Sequence, residues 1–508
     1  MATGMIEAPT TQRAGWRAWA ALAVLMLPVL LVSIDNTILN FALPAIAQEL
    51  EPTSAQQLWI IDAYSLVLAG LLVTMGSLGD RFGRRRLLLT GAIGFTVVSV
   101  LAAFAPTAGW LIAARAAMGF FGATLMPSTM SLLRSIFPER DQRRIAVAVW
   151  AGMFSAGGAL GPIVGGFLIE HFPWQSVFLL AVPMLVLMLA LAPVFVTESR
   201  DPDPGRIDPA SIVLSMLTLA PVAYGIKEIA VQGAAGAVPV AIGGLFGWLF
   251  VRRQLRMDRP MLDMSLFRRA GFSGSLLVNL FSVIALVGFL YFVSQHLQMI
   301  VGLSPMMAGL ALLPGAVTSI AGGFVVTPIA RRVRASVVIP SALALAVAAY
   351  LIVAFVGAHD VGMLVLGFAL LGAGVGAAET VSGELILANA PAAKAGAASA
   401  VSETAYELGA VLGTSILGGI LTAWYRATLV VPPGVPAGLA GPAAETLAGA
   451  MNVADQVGGT AGEALRAAAA EAFDGGVTVT SLIGAALVVL AAVVAATTLG
   501  GRRRSTSE

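Results

Sequence analysis

Apolar and polar residues along this chain alternate in long blocks. Apolar runs of about 18 to 28 residues recur from end to end, separated by short polar stretches that hold most of the arginines. About 20 apolar residues are what an α-helix needs to cross a bilayer core. The blocks predict spanning helices near 18–43, 57–78, 87–105, 108–131, 145–169 and 175–197. Two more follow near 209–229 and 236–253, then six near 272–298, 306–330, 335–357, 361–388, 397–424 and 477–499. The expected fold class is an all-α membrane protein with fourteen transmembrane helices. The run over 19–43 is too long for the core of a cleaved signal and contains Asp35 and Asn36, so it reads as the first span.

Charge gives the orientation. One face collects Arg13 and Arg17, Arg81–Arg86, Arg134–Arg144, Arg200 and Arg206, Arg252–Arg269, Arg331–Arg334, Lys394 and Arg502–Arg504. The other holds only Lys227, Arg426 and Arg466. Basic loops stay in the cytoplasm, which puts both termini there. Composition agrees: among 508 residues 58% are hydrophobic and 11% charged, and a mean hydropathy of +0.90 excludes an ordinary soluble domain. A net charge of +2 spread over short loops is a topology signal, so no nucleic-acid partner is expected. Without cysteine there is no disulfide framework and no thiolate chemistry. His171, His296 and His359 fall near predicted outer helix ends and read as interfacial, so neither a metal site nor a cofactor is expected.

The sharpest polar stretch is Gly76-Ser77-Leu78-Gly79-Asp80-Arg81-Phe82-Gly83-Arg84-Arg85-Arg86, between the second and third spans. Its glycines allow a tight turn, and Asp80 can pair with an arginine or cap a helix end. Asp80, Arg81, Arg84 and Arg85, with Gly76 and Gly83, are therefore expected to form a conformational switch. The spacing G-x-x-x-D-R-x-G-R-R resembles the loop between helices 2 and 3 of the major facilitator superfamily. Gly323 to Arg332 keeps its glycine and paired arginines without the aspartate, a second copy roughly 250 residues on. That is the parallel repeat expected of two six-helix bundles. The organisation is then an N-terminal bundle over 1–200, an inserted helix pair with its linkers over 201–269, and a C-terminal bundle over 270–508. A long external loop over 425–476 is expected to form a short helical hairpin over the outer mouth.

In the fifth span, Gly157, Gly161, Pro162, Gly165 and Gly166 make a kinked, close-packing surface. As G-x-x-x-G-P-x-x-G-G it resembles the superfamily's antiporter motif. Charges inside spans are costly, about 2.5–3.5 kcal/mol each near a helix centre, and so are candidates for function. Asp35 and Arg115 lie at comparable depth and can neutralise each other, either as a static ion pair or as a proton-exchanging one. Asp62 lies in the outer third of its span, at the interface or in the site. Glu403 and Glu407 share a helix face and suit a proton or cation. Glu379 should face the cavity's inner end, while Glu384 should be solvated. The run Gly372–Gly376 lies within a span and is no nucleotide loop.

Nearly the whole chain resembles the fourteen-helix drug:proton antiporters of that superfamily, the QacA/SmvA type. Val32-Ser33-Ile34-Asp35-Asn36-Thr37-Ile38-Leu39-Asn40-Phe41-Ala42-Leu43-Pro44 is similar to their first-helix signature. The resemblance implies proton coupling through Asp35 and Arg115, and substrate binding by Asp35, Asp62, Glu379, Glu403 and Glu407. Two departures are Met118, where glutamine is common, and the absence of an acid between Gly302 and Arg331. The implied protein is no enzyme but a monomeric inner-membrane antiporter, in contact with lipids, that exchanges protons for lipophilic or cationic drugs, dyes or antiseptics. A proton-coupled exporter of an endogenous metabolite or lipid on the same fold is the alternative. A non-transporting scaffold or receptor is a third possibility, disfavoured by the paired intramembrane acids.

Overall fold

The structure, a computed structural model, describes residues 14–200, 208–232, 236–257, 260, 262, 264–356, 360–389 and 395–499. Its regular elements are all helices. In chain order they are α1 (Trp16–Leu50), α2 (Ser54–Phe82), α3 (Arg84–Ala103), α4 (Ala108–Ile136), α5 (Arg140–His171) and α6 (Ser176–Phe195). Next come α7 (Pro209–Gln232), α8 (Ala237–Gln254), α9 (Ala270–Gln295), α10 (Pro305–Ala330), α11 (Ala335–Val356) and α12 (Val361–Ala388). The helix α13 runs over Ala395–Gly413, a π turn at Thr414–Gly418 and Gly419–Thr428, and a second π turn, His296–Ile300, ends α9. The chain finishes with α14 (Ala437–Glu445), α15 (Leu447–Val457) and α16 (Gly459–Thr498).

Among the described residues, twelve helices are long and apolar enough to cross a membrane. A thirteenth is α5, bent by 41° between Ile145–Gly158 and Leu160–His171. The expected fourteen is therefore not reached on length and composition, and α8 is the shortfall. It has 18 residues and ends on Arg252, Arg253 and Gln254, so its last turn is polar.

The helices pack around two apolar cores. One draws on α1 to α6, with Leu25, Phe95, Leu125 and Phe178 at its centre. The other draws on α9 to α16, with Phe289, Tyr350, Phe368 and Phe473, and takes in Phe41 of α1 and Leu58 of α2. The antiparallel pair α7 and α8 is closed tightly: a Cβ on Gly243 would lie 2.7 Å from the Thr218 carbonyl. The helix α7 lies beside the seam between α2 and α13, where Leu66, Ala223 and Val411 form a small buried cluster. Trp59 of α2 stacks on Tyr224 of α7 at 6.4 Å.

Within 425–476 the chain forms two short helices, α14 and α15, arranged as a hairpin. The Tyr425 hydroxyl donates to the carbonyls of Ala443 (3.0 Å) and Thr446 (3.3 Å), anchoring it to α13. The Glu445 carboxylate accepts from the Ser54 hydroxyl (2.8 Å) and amide (3.3 Å) at the start of α2, and pairs with Arg426 at 3.5 Å. The last span, expected from 477, is one 40-residue helix from Gly459, because the alanine-rich stretch before it favours helix and holds no proline, and Gly475 and Gly476 do not interrupt it.

In the second repeat Gly323 lies inside α10, as its counterpart Gly76 lies inside α2, and the turn falls at Arg331–Arg334. One expectation is corrected. His296 is not interfacial. It is fully buried, with Nδ1 3.0 Å from the Asp474 carboxylate, because the π turn at the end of α9 is covered by α15 and α16. His359, Lys394 and both chain ends lie outside the described residues.

Candidate functional site

Four helices bring polar side chains together at mid-span. Arg115 on α4 donates from Nη1 to Asp35 Oδ2 on α1 at 2.7 Å. Its Nε donates to the Ile60 carbonyl at 3.2 Å, and its guanidinium lies 4.6 Å from the Tyr64 ring centre. Only 1% of Arg115 and 8% of Asp35 is exposed. A charge this enclosed is tolerated because carboxylate, carbonyl and aromatic face replace its water.

The next residue on α1 makes the link to the other half. Asn36 donates from Nδ2 to Glu407 Oε1 on α13 at 3.2 Å. Glu407 is buried, and its Oε2 has no hydrogen-bond partner among the described residues. Asp62, whose depth left an interfacial reading open, is 1% exposed. Its carboxylate accepts from the hydroxyls of Thr414 and, at 3.3 Å, Ser415. Both hydroxyls stand on the π turn of α13, whose wider turn sets neighbouring side chains toward one carboxylate. Between these groups is a cavity of about 10 Å³ lined by Asp35, Asn36, Asp62, Ser65 and Arg115. That is about the room one water needs.

The structure therefore gathers Asp35, Arg115, Asp62 and Glu407, and leaves Glu403 and Glu379 apart. Glu403 lies one turn from Glu407 toward the basic face. Glu379, on α12, has a buried Oε1 with no hydrogen-bond partner among the described residues. Glu384 is exposed, as expected. Beside Glu407, Tyr406 meets Phe154 of α5 edge-on at 5.7 Å, and Phe154 stacks on Trp150 at 6.1 Å. These aromatic contacts and the hydroxyls on the π turn escape a search for charges, since Ser, Thr and Tyr are ordinary in spans. The run of three polar groups in Ser33, Asp35 and Asn36 is the signal that could have exposed Asn36.

The residues of the α5 motif divide between two neighbours. Gly157, Gly161 and Gly165 face Ser33, Thr37 and Ile38 of α1. Pro162 has no amide to offer the Gly158 carbonyl, and Thr37 Oγ1 donates to that oxygen at 3.3 Å. Gly166 faces α10, where a Cβ would lie 2.5 Å from the Pro305 carbonyl; at Gly309 one would lie 2.3 Å from the Pro162 carbonyl. The Glu170 carboxylate accepts from the Ser304 hydroxyl (2.9 Å) and the Met306 amide (3.3 Å). The two halves thus touch backbone to backbone, far from the basic loops.

At the basic face the chain turns on Gly83, with φ +109°. Asp80 accepts from Arg84 at 2.8–2.9 Å. Glu198 accepts from the amides of Arg85 (3.0 Å) and Arg86 (3.1 Å), capping α3. Arg84 donates to the Ser199 hydroxyl at 3.1 Å, and Arg85 to the Val196 carbonyl at 2.9 Å. Arg81 is exposed and lies against Phe82, while Gly76 packs on Pro127 of α4. The cap on α3 comes from Glu198, not Asp80, and the hydrogen bonds described here tie the loop to the first half of the chain.

Residues 25–414 match the family model described as Major Facilitator Superfamily. The chain is 53% identical over 491 residues to the multidrug efflux pump LfrA of Mycolicibacterium smegmatis, covering 96% of this chain and 97% of that one. It is 34% identical over 463 residues to the methyl viologen resistance protein SmvA of Salmonella typhimurium, covering 90% and 93%. Among solved structures, it superposes with a TM-score of 0.68 on an inward-facing, unoccupied bacterial homologue of the human lysosomal transporter Spinster. That identity is 18%, over 96% of this chain and 99% of the other, and bears on the fold alone.

Proposed function

Because the chain belongs to the major facilitator superfamily and is a multi-pass membrane protein, we propose that it exports lipophilic, cationic compounds across the cytoplasmic membrane in exchange for protons. The observation that carries this reading is a pair of adjoining polar contacts: Arg115 binds Asp35, and the next residue, Asn36, binds Glu407 across from one half of the molecule to the other. The functions of two relatives, multidrug efflux and methyl viologen resistance, support the same substrate class.

In this reading α8 is the fourteenth span, held by its packing on α7, and both termini are cytoplasmic. The working units are 1–200, 201–269 and 270–508. Asp35 and Arg115 couple the proton; a proton on Asp35 cancels its pairing with Arg115 and frees the guanidinium to change partners. Glu407 and Glu403, with Asp62 nearer the outer face and Glu379 nearer the inner one, attract the cation, and Tyr406, Phe154 and Trp150 receive its apolar body. Protonation of the acids from outside releases it, driven by about 2.3 kcal/mol per charge per 100 mV of membrane potential. The Gly76–Arg85 loop switches the first bundle between states, while Gly157, Gly161, Pro162, Gly165 and Gly166 hold α5 closed against α1 and α10.

Purified protein in proteoliposomes, with a pH gradient imposed and a dye cation inside the donor compartment, tests the reading. Uphill dye movement that collapses when the proton gradient is dissipated is expected. Dye movement that ignores the proton gradient would overturn proton coupling, and no movement of any cation would overturn the substrate class.

A further inference from the structure

A second cavity, larger than the polar one, lies on the other side of the seam between α2 and α13. Its volume is about 240 Å³. The inserted pair closes it laterally with Ser215, Thr218 and Phe250, and Leu276 of α9 stands at its side. On α2 and α13 its walls are Ala69, Gly70, Val401, Ala405 and Leu408, so apart from a few hydroxyls the lining is apolar. An apolar cavity of about 150 Å³ holds a benzene ring, so this one has room for a larger ring or a bent alkyl chain.

Its position gives it a purpose. Toward the far face α2 and α13 are in contact, through Asp62 with Thr414 and Ser415 and through Leu66 with Val411. One turn lower, at Ala69 and Leu408, the cavity opens between them. Leu408 is the neighbour of Glu407, and Thr404, another wall residue, is the neighbour of Glu403. A molecule with its charge among the acids therefore has an apolar space about one helical turn away, and among the described residues no charged side chain lines that space.

We propose that this cavity is the seat of the apolar tail of amphiphilic cations, and that α7 and α8 serve to wall it off from the lipid. The proposal rests on the cation-export reading above and adds the subsite that sets chain-length preference. The tail gains affinity by leaving water, up to roughly fourfold per buried methylene, until the cavity is full. Longer chains then add nothing.

The test uses n-alkyltrimethylammonium ions of increasing chain length as competitors of dye transport by the full-length protein in proteoliposomes. Ala69→Phe and Ser215→Phe fill the cavity from two different helices, so a folding defect in one leaves the other informative. In the parent protein, affinity is expected to climb with chain length and then level off. In both filled variants the climb should end several methylenes earlier, with tetramethylammonium competing as in the parent. A climb unchanged in the filled variants, with transport intact, overturns the tail site while leaving cation export standing. If no member of the series competes in the parent, the cation reading itself has failed. If native mass spectrometry finds a phospholipid retained by the parent and lost from both variants, with equal losses for every chain length, the cavity is a structural lipid site and the proposal is overturned.

Discussion

Arg115 fills its hydrogen-bonding space with one carboxylate, one carbonyl and one aromatic face. Removing the carboxylate's charge strands a guanidinium out of water, which costs about 3–5 kcal/mol for a buried pair. Asp35→Asn should therefore stop proton-driven efflux and also lower thermal stability in detergent. Adding Arg115→Gln should recover most of the stability and none of the transport. Recovery of both would make the pair a packing element. Glu407 has a different position from Glu403, since only Glu407 is bound across the seam by Asn36. Glu407→Gln should weaken cationic substrates by a larger factor than Glu403→Gln, with neutral substrates little changed by either; binding isotherms for one cationic and one neutral compound decide. At this scale charge was legible from sequence, because a carboxylate in an apolar run has few bland explanations. The partners were not: Thr414 lies 352 residues from Asp62, and nothing local announces that a hydroxyl will meet it.

Helices are fastened to one another at their ends by groups of modest sequence signal. Asp208, just before α7, accepts from Arg253 Nε (2.6 Å) and Nη2 (2.7 Å) at the end of α8, and Ser211 donates to it at 2.5 Å. Gln254 extends the clasp to Ser211 and to the Leu262 amide. The Arg253 hydrogen bonds, aided by Ser211, hold the Asp208 carboxyl down at about 2 from its ordinary 3.8. A carboxylate with a lowered pKa stabilises the fold above its unfolded value and loses that contribution as pH falls through the folded one. The clasp should thus hold throughout the cellular pH range and fail only between about pH 4 and pH 2. Spin labels at the basic ends of α7 and α8 should report a fixed distance down to about pH 4, and Asp208→Asn should lengthen it at neutral pH. A second fastening is the Glu198 cap on α3. Glu198→Ala should cost about 1 kcal/mol, the ordinary value of a lost helix cap, and slow transport more than it weakens binding. Most element ends were readable to a few residues from hydropathy, α1 and the long last helix excepted, whereas these caps and clasps depend on where distant chain ends arrive. The bend of α5 was readable too, because proline and glycine act through the local backbone.

The halves of the molecule meet at the face opposite the basic loops, through Gly166 with Pro305, Asp62 with α13, and the hairpin on Ser54. Toward the basic face α2 and α13 draw apart around the 240 Å³ cavity. Opening at the far face must break the Glu445 bonds to Ser54. Ser54→Cys with Glu445→Cys, joined by a short bismaleimide that alkylates both thiols, should abolish transport, and a bis-methanethiosulfonate linker, held by two disulfides, should do the same until a reductant cleaves it. The chain has no cysteine of its own to interfere. Full turnover in the linked protein would show that the hairpin travels as a passenger of α2. Repeat symmetry and charge placement made the two halves legible, while the cavity's roof of inserted helices was not, since it requires knowing which seam α7 would choose.

The hairpin also bears on drug design. Pumps of broad specificity defeat their own inhibitors, because a compound that reaches the translocation path is itself cargo. If α14 and α15 stand outside the cell, as the proposed topology has them, a peptide or antibody fragment that clasps them to Ser54 would freeze the cycle without entering it. Such a blocker need not cross the envelope's inner barrier, and the machine it disables would have no route by which to expel it.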